Sequence, residues 1–279
     1  MLSGAAASVT AAGDRCRCAV LGSPISHSRS PALHRAAYAA LGLAWSYDAV
    51  EVDEASLAGF VSGLSRDWAG LSLTRPLKVA ALACARDADE VARRTGVANT
   101  LVRRDAGWVA HNTDAIGLRL ALAEVSVAPG CTACVLGGGA TARSSIWAIA
   151  NGVDRVRVLV RDPVRATALT TLDLPVQVEV WSLADPSARR SGLAAHLVID
   201  TTPPGSVDRL ASDLVAGPGT YVDWTYVPWP TQLASAYAEA GRTVIGGLEL
   251  LLRQAALQVE LMTGRPAPLT AMRAALRSP

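Results

Sequence analysis

Short apolar runs alternate along the chain with stretches in which apolar residues recur every three or four positions. The runs Arg17–Gly22, Trp45–Val52 and Gly70–Thr74 predict buried strands. Helical spacing follows the first two strands, at Ala32–Leu41 and at about residues 57–64. Strands that alternate with helices in this way predict an α/β unit with a mainly parallel sheet.

Two local signals refine this first unit. Pro31 stands where a proline is tolerated in the first turn of a helix, and Ser30 just before it predicts an N-cap. After the break at Arg75–Pro76 the pattern predicts a helix through Lys78 and Leu82.

The pattern then shortens and repeats. Residues 98–102 and 107–110 predict a hairpin, and a helix follows at about 115–124. Beyond it, further strands are predicted at 131–136, 155–160, 176–181, 197–200, 220–223 and 243–245, and further helices at 140–151, 248–263 and 267–276. The second series therefore repeats the architecture of the first.

Composition excludes several classes of protein. The 279 residues are 51% hydrophobic and 18% charged, enough for a large core in one or two domains. The net charge is only +2 and no basic stripe stands out, which argues against nucleic-acid binding. No apolar run is long enough to span a bilayer, and Met1–Asp14 lacks the pattern of a signal peptide.

The spacing Cys131-Thr-Ala-Cys134 is also found in redox and zinc sites. No second pair of this kind and no nearby histidine completes a metal site, and both cysteines fall in a predicted strand. Buried thiols are the favoured interpretation, with no metal site, and a reducing cytoplasm fits them.

A glycine-rich turn opens the second series. It lies between a predicted strand and a predicted helix and comprises Gly137, Gly138, Gly139, Ala140, Thr141 and Ala142. Glycines let backbone amides approach a pyrophosphate, and the helix amino terminus favours negative charge. An ordinary turn could also contain glycines, but the strand–turn–helix context favours a dinucleotide.

The end of the next strand bears on which dinucleotide binds. Arg161 and Arg165 favour NADP, because arginines can contact its 2′-phosphate. Asp162 lies between them and is an unfavourable neighbour for a phosphate, although it could instead cap the helix that Pro163 begins. NADP is therefore predicted, and NAD stays open.

Lys78 and Asp114 are candidates for ketone reduction, which needs a proton donor beside the developing alkoxide. Either residue alone could be an ordinary surface charge. Polar residues at comparable strand ends favour a site for a small polyhydroxylated keto-acid: Ser28, Ser30, Thr74 and Asn99.

Several motifs between about Val20 and Gln258 carry a family resemblance. They include Pro24–His34, Thr74–Lys78, Gly96–Leu101 and Asn112–Gly117, in the family's own order. On these motifs the chain resembles the shikimate dehydrogenases, which interconvert 3-dehydroshikimate and shikimate with NADP(H).

The resemblance implies roles for individual residues. Lys78 would be the catalytic lysine and Asp114 its partner. Substrate contacts would be Ser28, Ser30, Thr74, Asn99, Tyr226 and Gln254, with Tyr226 near the substrate carboxylate. Cofactor contacts would be the turn residues 137–142 together with Arg161, Arg165 and Gly247.

The resemblance also implies two α/β domains with a cleft between them. Residues 16–113 plus 245–279 would form the substrate domain, and 114–244 a Rossmann-type NADP-binding domain. The expected partner is a small-molecule substrate, without nucleic acid or membrane, for a cytoplasmic monomer or homodimer.

The chain departs from the family pattern at two places. Ser72 stands where the family usually has asparagine, and Val160-Arg161-Asp162 stands where it has Asn-Arg-Thr. Two rival functions stay open: a quinate/shikimate dehydrogenase that prefers NAD, and a non-catalytic sensor that keeps the ligand pocket. The presence of both Lys78 and Asp114 argues against the sensor.

Overall fold

The computed structural model describes residues 15–125, 127, 129–214 and 217–277. Residues 1–14, for which the sequence argues against a signal peptide, lie outside this part of the chain. Two compact units are present: Asp114–Arg253 forms unit 2, and the residues before and after it form unit 1. The chain returns to unit 1 at Gln254, whereas the sequence predicted a return to the first domain at residue 245.

The predicted alternation of strands and helices is confirmed. The strands are β1 (Arg17–Gly22), β2 (Ser46–Glu51), β3 (Trp68–Leu73), β4 (Asp87–Ala88), β5 (Thr100–Arg104), β6 (Gly107–His111), β7 (Cys131–Leu136), β8 (Val153–Val160), β9 (Gln177–Ser182), β10 (Leu197–Asp200), β11 (Thr220–Asp223) and β12 (Thr243–Ile245). The helices are α1 (Ser30–Ala40), α2 (Leu57–Ser62), α3 (Glu90–Thr95), α4 (Thr113–Leu122), α5 (Ala140–Ile149), α6 (Pro163–Ala166), α7 (Pro186–Leu193), α8 (Gln232–Glu239), α9 (Gly247–Thr263) and α10 (Leu269–Arg277). Short 3₁₀ segments lie at Ala80–Cys84, Thr167–Thr171 and Asp208–Asp213.

The sheet of unit 1 has the strand order β2-β1-β3-β5-β6-β4. Because β1 is parallel to both β2 and β3, the carboxyl ends of these three strands lie at one edge. The predicted hairpin of β5 and β6 is present, and β5 runs antiparallel to β3 with Thr100 opposite Ser72. The start of β5 therefore lies at the same edge as the end of β3.

The sheet of unit 2 is wholly parallel, in the order β12-β11-β10-β7-β8-β9. The chain starts at the central strand β7, builds outward through β8 and β9, and then returns to the other side of β7 at β10. Parallel sheets of this order bind ligands where the direction of building reverses, at the carboxyl ends of the strands. Here that point lies between β7 and β10.

Both faces of β7 are largely buried, which explains why its sequence is apolar apart from Thr132. Cys131 belongs to the hydrophobic cluster on one face and Cys134 to the cluster on the other. The prediction of buried strand thiols is confirmed. Because the two side chains point to opposite faces, they cannot hold one metal ion together.

Two local predictions were wrong. Lys78 lies in a turn, and regular coiling starts only with the 3₁₀ segment at Ala80, because Pro76 lacks an amide hydrogen and restricts the residue before it. Ser30 is the first residue of α1 rather than its N-cap. The Ser30 amide donates to the Ser28 hydroxyl oxygen at 3.3 Å.

Among the described helices, none combines the length and the apolar character needed to cross a bilayer.

A pair of leucines in unit 1 tests the assignment of its core. Leu101 is fully buried in β5, whereas Leu269 at the start of α10 is 42% exposed. We expect Leu101→Ala to lower the free energy of unfolding by about 2–5 kcal/mol, through lost burial and the cavity left behind. Leu269→Ala should change it by about 0.5 kcal/mol or less. Urea unfolding followed by circular dichroism measures both, and equal losses would contradict the assignment.

Candidate active site

Three chain segments meet at the carboxyl edge of the unit 1 sheet. The Thr74 amide donates to the Leu21 carbonyl oxygen at 2.9 Å, which joins the end of β3 to the end of β1. The Leu73 amide donates to the Asn99 carbonyl oxygen at 2.7 Å and joins the end of β3 to the residue before β5. Backbone pairing therefore brings together segments that are far apart in the sequence.

The loop after β1 carries the two predicted serines. Ser28 is half-buried and Ser30 is 6% exposed. The Ser28 amide donates to the Ile25 carbonyl oxygen at 3.0 Å, and this turn presents the Ser28 hydroxyl to the Ser30 amide. The loop thus has a defined shape at the amino terminus of α1, where a negative charge is favoured.

Lys78 lies in the turn after β3 and is half-buried. Its carbonyl oxygen accepts the hydrogen of the Ala98 amide at 2.8 Å, so its backbone lies beside the residue that precedes Asn99. Lys78 is also the only lysine among the 26 lysines and arginines of the sequence. A lysine ammonium can donate a proton to a substrate, whereas the guanidinium of arginine stays protonated in proteins.

The Asn99 side chain is buried, 1% exposed, and its orientation is fixed by its partners. Its Oδ1 accepts from the Thr113 amide at 2.8 Å and from the Thr100 hydroxyl at 3.0 Å. Its Nδ2 donates to Gln254 Oε1 at 3.3 Å. Two of the predicted substrate residues are therefore in contact, and Asp114 follows Thr113 directly in the chain.

A second layer of polar side chains, which was not predicted from the sequence, lies behind Asn99. Gln258 on α9 is 1% exposed, and its Nε2 donates to the Thr100 hydroxyl at 3.0 Å and to the Asn99 carbonyl oxygen at 3.3 Å. Its Oε1 accepts from the Ser72 hydroxyl at 2.7 Å. The signal that could have found it is spacing, because Gln258 lies one helical turn after Gln254 on the same face.

His34 completes this layer. Its Nε2 lies 3.2 Å from Gln258 Oε1, and its ring stacks on Tyr47 with 3.9 Å between ring centres. Burial lowers the pKa of His34 to about 3 and thus keeps the ring neutral. The Tyr47 hydroxyl in turn donates to Ser72 Oγ at 2.6 Å, so the short Ser72 side chain is fully engaged.

In unit 2 the glycine-rich turn lies between β7 and α5, as predicted. Gly137 has φ +99°, and a Cβ there would lie 2.7 Å from Thr201 Oγ1. A Cβ on Gly138 would lie 3.1 Å from Val160 and 3.2 Å from Ala166. The backbone conformation of Gly137 thus favours glycine, and at Gly138 a side chain would fit only if its neighbours shifted by a few tenths of an ångström.

The rest of the turn fits an anionic ligand. A Cβ on Gly139 would meet nothing within 4 Å, so this position borders open space. Gly139 is the N-cap of α5, and no side chain caps the helix, whose first turn contains Ala140 and Thr141. Ala142 is fully buried against the sheet, which is the packing role expected of the third small residue.

The end of β8 carries the predicted phosphate-binding arginines. Both Arg161 and Arg165 are exposed, and Arg165 Nε lies 3.6 Å from an oxygen of Asp162. The predicted cap is confirmed: Asp162 Oδ1 accepts from the amides of Val164 and Arg165 at 3.1 and 3.5 Å. The Asp162 carboxylate, an unfavourable neighbour for a phosphate, is therefore occupied as the N-cap of α6.

Gly247 and Tyr226 lie near each other along the same unit's carboxyl edge. A Cβ on Gly247 would lie 2.6 Å from the carbonyl oxygens of Trp224 and Thr225. Tyr226 follows directly and is half-buried. Trp224 Nε1 donates to Ser145 Oγ of α5 at 3.2 Å, which ties the segment after β11 to the helix of the glycine-rich turn.

Comparison with known proteins agrees with this arrangement. Residues 20–101 match the family model of the shikimate dehydrogenase substrate binding domain, and residues 247–277 match that of the shikimate 5'-dehydrogenase C-terminal domain. The shikimate dehydrogenase (NADP(+)) of Moorella thermoacetica is 36% identical over 271 residues, which cover 93% of this chain and 92% of that protein.

Solved structures show the same fold. The shikimate dehydrogenase of Mycobacterium tuberculosis is 42% identical, with a TM-score of 0.86 over 94% of this chain and 98% of that chain. The shikimate 5-dehydrogenase of Thermus thermophilus, solved in complex with NADP(H) and shikimate, is 32% identical, with a TM-score of 0.81 over the same shares of the two chains.

Alanine substitutions in the turn separate packing from ligand binding. We expect Gly137→Ala to lower the free energy of unfolding by about 1–3 kcal/mol, because φ +99° strains an alanine. Gly139→Ala should cost less, about 1 kcal/mol or less because alanine is a poorer N-cap than glycine, yet weaken NADPH binding by filling the open space. Urea unfolding and a fluorescence titration with NADPH measure the two effects. Unchanged NADPH binding in Gly139→Ala would contradict a cofactor site at this position.

Proposed function

The chain belongs to the shikimate dehydrogenase family, and we propose that it interconverts 3-dehydroshikimate and shikimate with NADP(H), using Lys78 and Asp114 as its catalytic pair. The observation that carries these roles is the edge of the unit 1 sheet. There the backbone of the sequence's only lysine is bonded to Ala98, next to Asn99, and the turn that carries this lysine is bonded through Arg75 to Ser23, in the loop that also contains Ser28. Charge, amide and hydroxyl groups of this kind are what a hydroxylated keto-acid needs.

The chain's own residues supply the proton and the positive charge. When bound, NADPH supplies the hydride that adds to the C3 carbonyl carbon of 3-dehydroshikimate. The ammonium of Lys78 stabilises the charge that develops on the carbonyl oxygen and, together with Asp114, provides the proton that makes it a hydroxyl.

The other substrate residues would bind and orient the ring. Ser28 and Ser30 are hydroxyl donors for the substrate carboxylate, with Tyr226 as a further contact. Thr74, Asn99 and Gln254 would contact the rest of the molecule. The hydrogen bonds that fix Asn99 before any ligand binds would reduce the entropy lost on binding.

The cofactor residues divide by the part of NADP that each would contact. The open space at Gly139 and the amino terminus of α5 suit the pyrophosphate. Arg161 and Arg165 suit the 2′-phosphate. Gly247 would allow close approach of the backbone where α9 begins.

The sequence left two alternative functions open, an NAD-preferring quinate/shikimate dehydrogenase and a non-catalytic sensor. The similarity to shikimate dehydrogenases (NADP(+)) favours neither of these alternatives. Assays with shikimate and quinate, each with NADP and with NAD, decide between the proposed enzyme and a quinate/shikimate dehydrogenase.

Location in the cytoplasm is part of the proposal. The five cysteines, all in the described part of the chain, are thiols rather than disulfide partners. A monomeric or homodimeric state stays a prediction.

Lys78→Arg tests the catalytic role, because it keeps the positive charge but removes a proton that can be given up. We expect kcat to fall by at least about 100-fold, with a smaller change in KM for shikimate. Arg86→Lys is the matched control, an exposed cation of the same unit outside the candidate site, and should leave kcat unchanged. Near-normal turnover in Lys78→Arg would refute proton transfer by this residue.

The arginines after β8 test cofactor recognition. Replacing both Arg161 and Arg165 by alanine should raise KM for NADPH by about tenfold or more, as expected from losing charge-assisted bonds to a phosphate. KM for NADH, which has no 2′-phosphate, should change little. Steady-state kinetics with the two cofactors measure this selectivity. Parallel increases for both cofactors would show that the arginines do not read the 2′-phosphate.

A further inference from the structure

Two buried carboxyl groups lie side by side at the carboxyl edge of unit 2. Asp200 ends β10 and Asp223 ends β11, the two residues are register partners, and they are 4% and 0% exposed. The Tyr221 hydroxyl oxygen lies 3.3 Å from Asp200 Oδ2 and 3.2 Å from Asp223 Oδ2. None of the candidate catalytic, substrate or cofactor residues belongs to this cluster.

The hydrogens in the cluster can be counted. A tyrosine hydroxyl has one hydrogen, so it can donate to one of the two carboxyl oxygens beside it. Asp223 Oδ2 also accepts from the Thr231 hydroxyl at 2.7 Å. If both aspartates were ionised, two buried negative charges would face each other and share one tyrosine hydrogen. A proton on Asp200 Oδ2 resolves this, because Asp200 then donates to Tyr221 and Tyr221 donates to Asp223.

The surroundings favour that proton. Burial and the neighbouring charge of Asp223 raise the pKa of Asp200 to about 7, against the lowering effect of its bonds from Thr202. The thiol of Cys134, whose pKa burial raises to about 12, is neutral, and burial also raises the pKa of Tyr237. The titratable groups around Asp200 are Tyr221 and Asp223 of β11, Cys134 of β7 and Tyr237 of α8, and the charge of Arg157 on β8 acts on Cys134.

Each aspartate holds a loop with its other oxygen. Asp200 Oδ1 accepts from the amide and the hydroxyl of Thr202, at 2.8 and 2.7 Å. The hydroxyl of Thr201, the residue between Asp200 and Thr202, donates to the Leu136 carbonyl oxygen at the end of β7 and fills the space beside Gly137. One loop thus forms a wall of the glycine-rich turn.

The second loop is held in the same way. Asp223 Oδ1 accepts from the Thr225 amide at 2.8 Å, and this bond fixes the segment whose Trp224 contacts Ser145 of α5. The segment also packs against Gly247. Through Asp200 and Asp223, one hydrogen-bond chain holds both the loop beside the glycine-rich turn and the segment that contacts the helix after this turn.

We propose that Asp200 carries a proton in the working protein. The chain Asp200–Tyr221–Asp223 then positions one loop against the glycine-rich turn and the other against α5, the helix that this turn begins, for cofactor binding. Asp200 is thus a positioning residue that acts through Thr201 and Thr202. The inference rests on the proposed function, which assigns that turn to NADP. Loss of the proton at higher pH leaves two facing carboxylates with the single Tyr221 hydrogen between them, which loosens the loops and weakens cofactor binding.

Asp200→Asn tests the proposal because the amide imitates the protonated acid. Its Nδ2 can donate to Tyr221, its oxygen can accept from Thr202, and it does not titrate. We expect the ratio of the NADPH Kd of the unchanged protein to that of Asp200→Asn to be near 1 at about pH 5.5 and at least about fivefold at about pH 8.5. Titration of the 2′-phosphate cancels in this ratio, since both proteins bind the same cofactor. Glu239→Gln, an exposed carboxyl-to-amide change in the same unit, should give a ratio near 1 at both pH values.

Unfolding without ligand gives a second readout. The pKa of Asp200 is raised from 3.8, its ordinary value, to about 7 in the folded protein. The proton on Asp200 therefore contributes fully to the stability of the fold below pH 3.8, and this contribution is lost as the pH rises to about 7. The melting temperature of the unchanged protein should therefore fall relative to that of Asp200→Asn across this window. A constant difference, or a Kd ratio that does not change with pH, would overturn the proposal. Failure of the unchanged protein to bind NADPH at either pH would overturn the proposed function instead, and the melting series would still decide whether Asp200 is protonated.

Discussion

The backbone hydrogen bond from the Leu73 amide to the Asn99 carbonyl oxygen joins the end of β3 to the start of β5. Because β3 also pairs in parallel with β1, this bond brings three loops to one edge of the sheet. The Asn99 side chain then turns toward Gln254 and Thr113, and the Lys78 backbone is held one residue away. The candidate active site of unit 1 depends on this pairing, since its side chains come from segments that are distant along the chain.

Each unit supports its candidate site with a buried polar network rather than with apolar packing alone. In unit 1 Gln258 joins Ser72, His34 and Thr100 behind Asn99. In unit 2 Asp200 fixes the loop beside the glycine-rich turn, and Asp223 fixes the segment that contacts α5. A buried polar group without a partner is costly, so such networks favour one arrangement of the backbone over its alternatives. Positions far from the reacting atoms can therefore influence binding.

The same logic explains which sequence features were informative. Lys78 was found from its motif, although a simpler signal was present, since every other basic residue apart from the histidines is an arginine. Asp162 was recognised as a helix cap because the proline after it marks the first turn. Gln258 and Asp200 were missed, because a glutamine in a helix and an aspartate at a strand end carry no signal until their neighbours are known.

The sequence by itself determined the order and type of the elements, the glycine-rich turn and the identity of the polar residues at the strand ends. Those features depend on local periodicity and on the backbone demands of glycine and proline, which are written in consecutive residues. The tertiary structure alone decided that Lys78 lies in a turn, that Asn99 contacts Gln254, and that Asp200 faces Asp223 across paired strands. Strand register and helix packing set these contacts, and both arise between residues that the sequence keeps far apart.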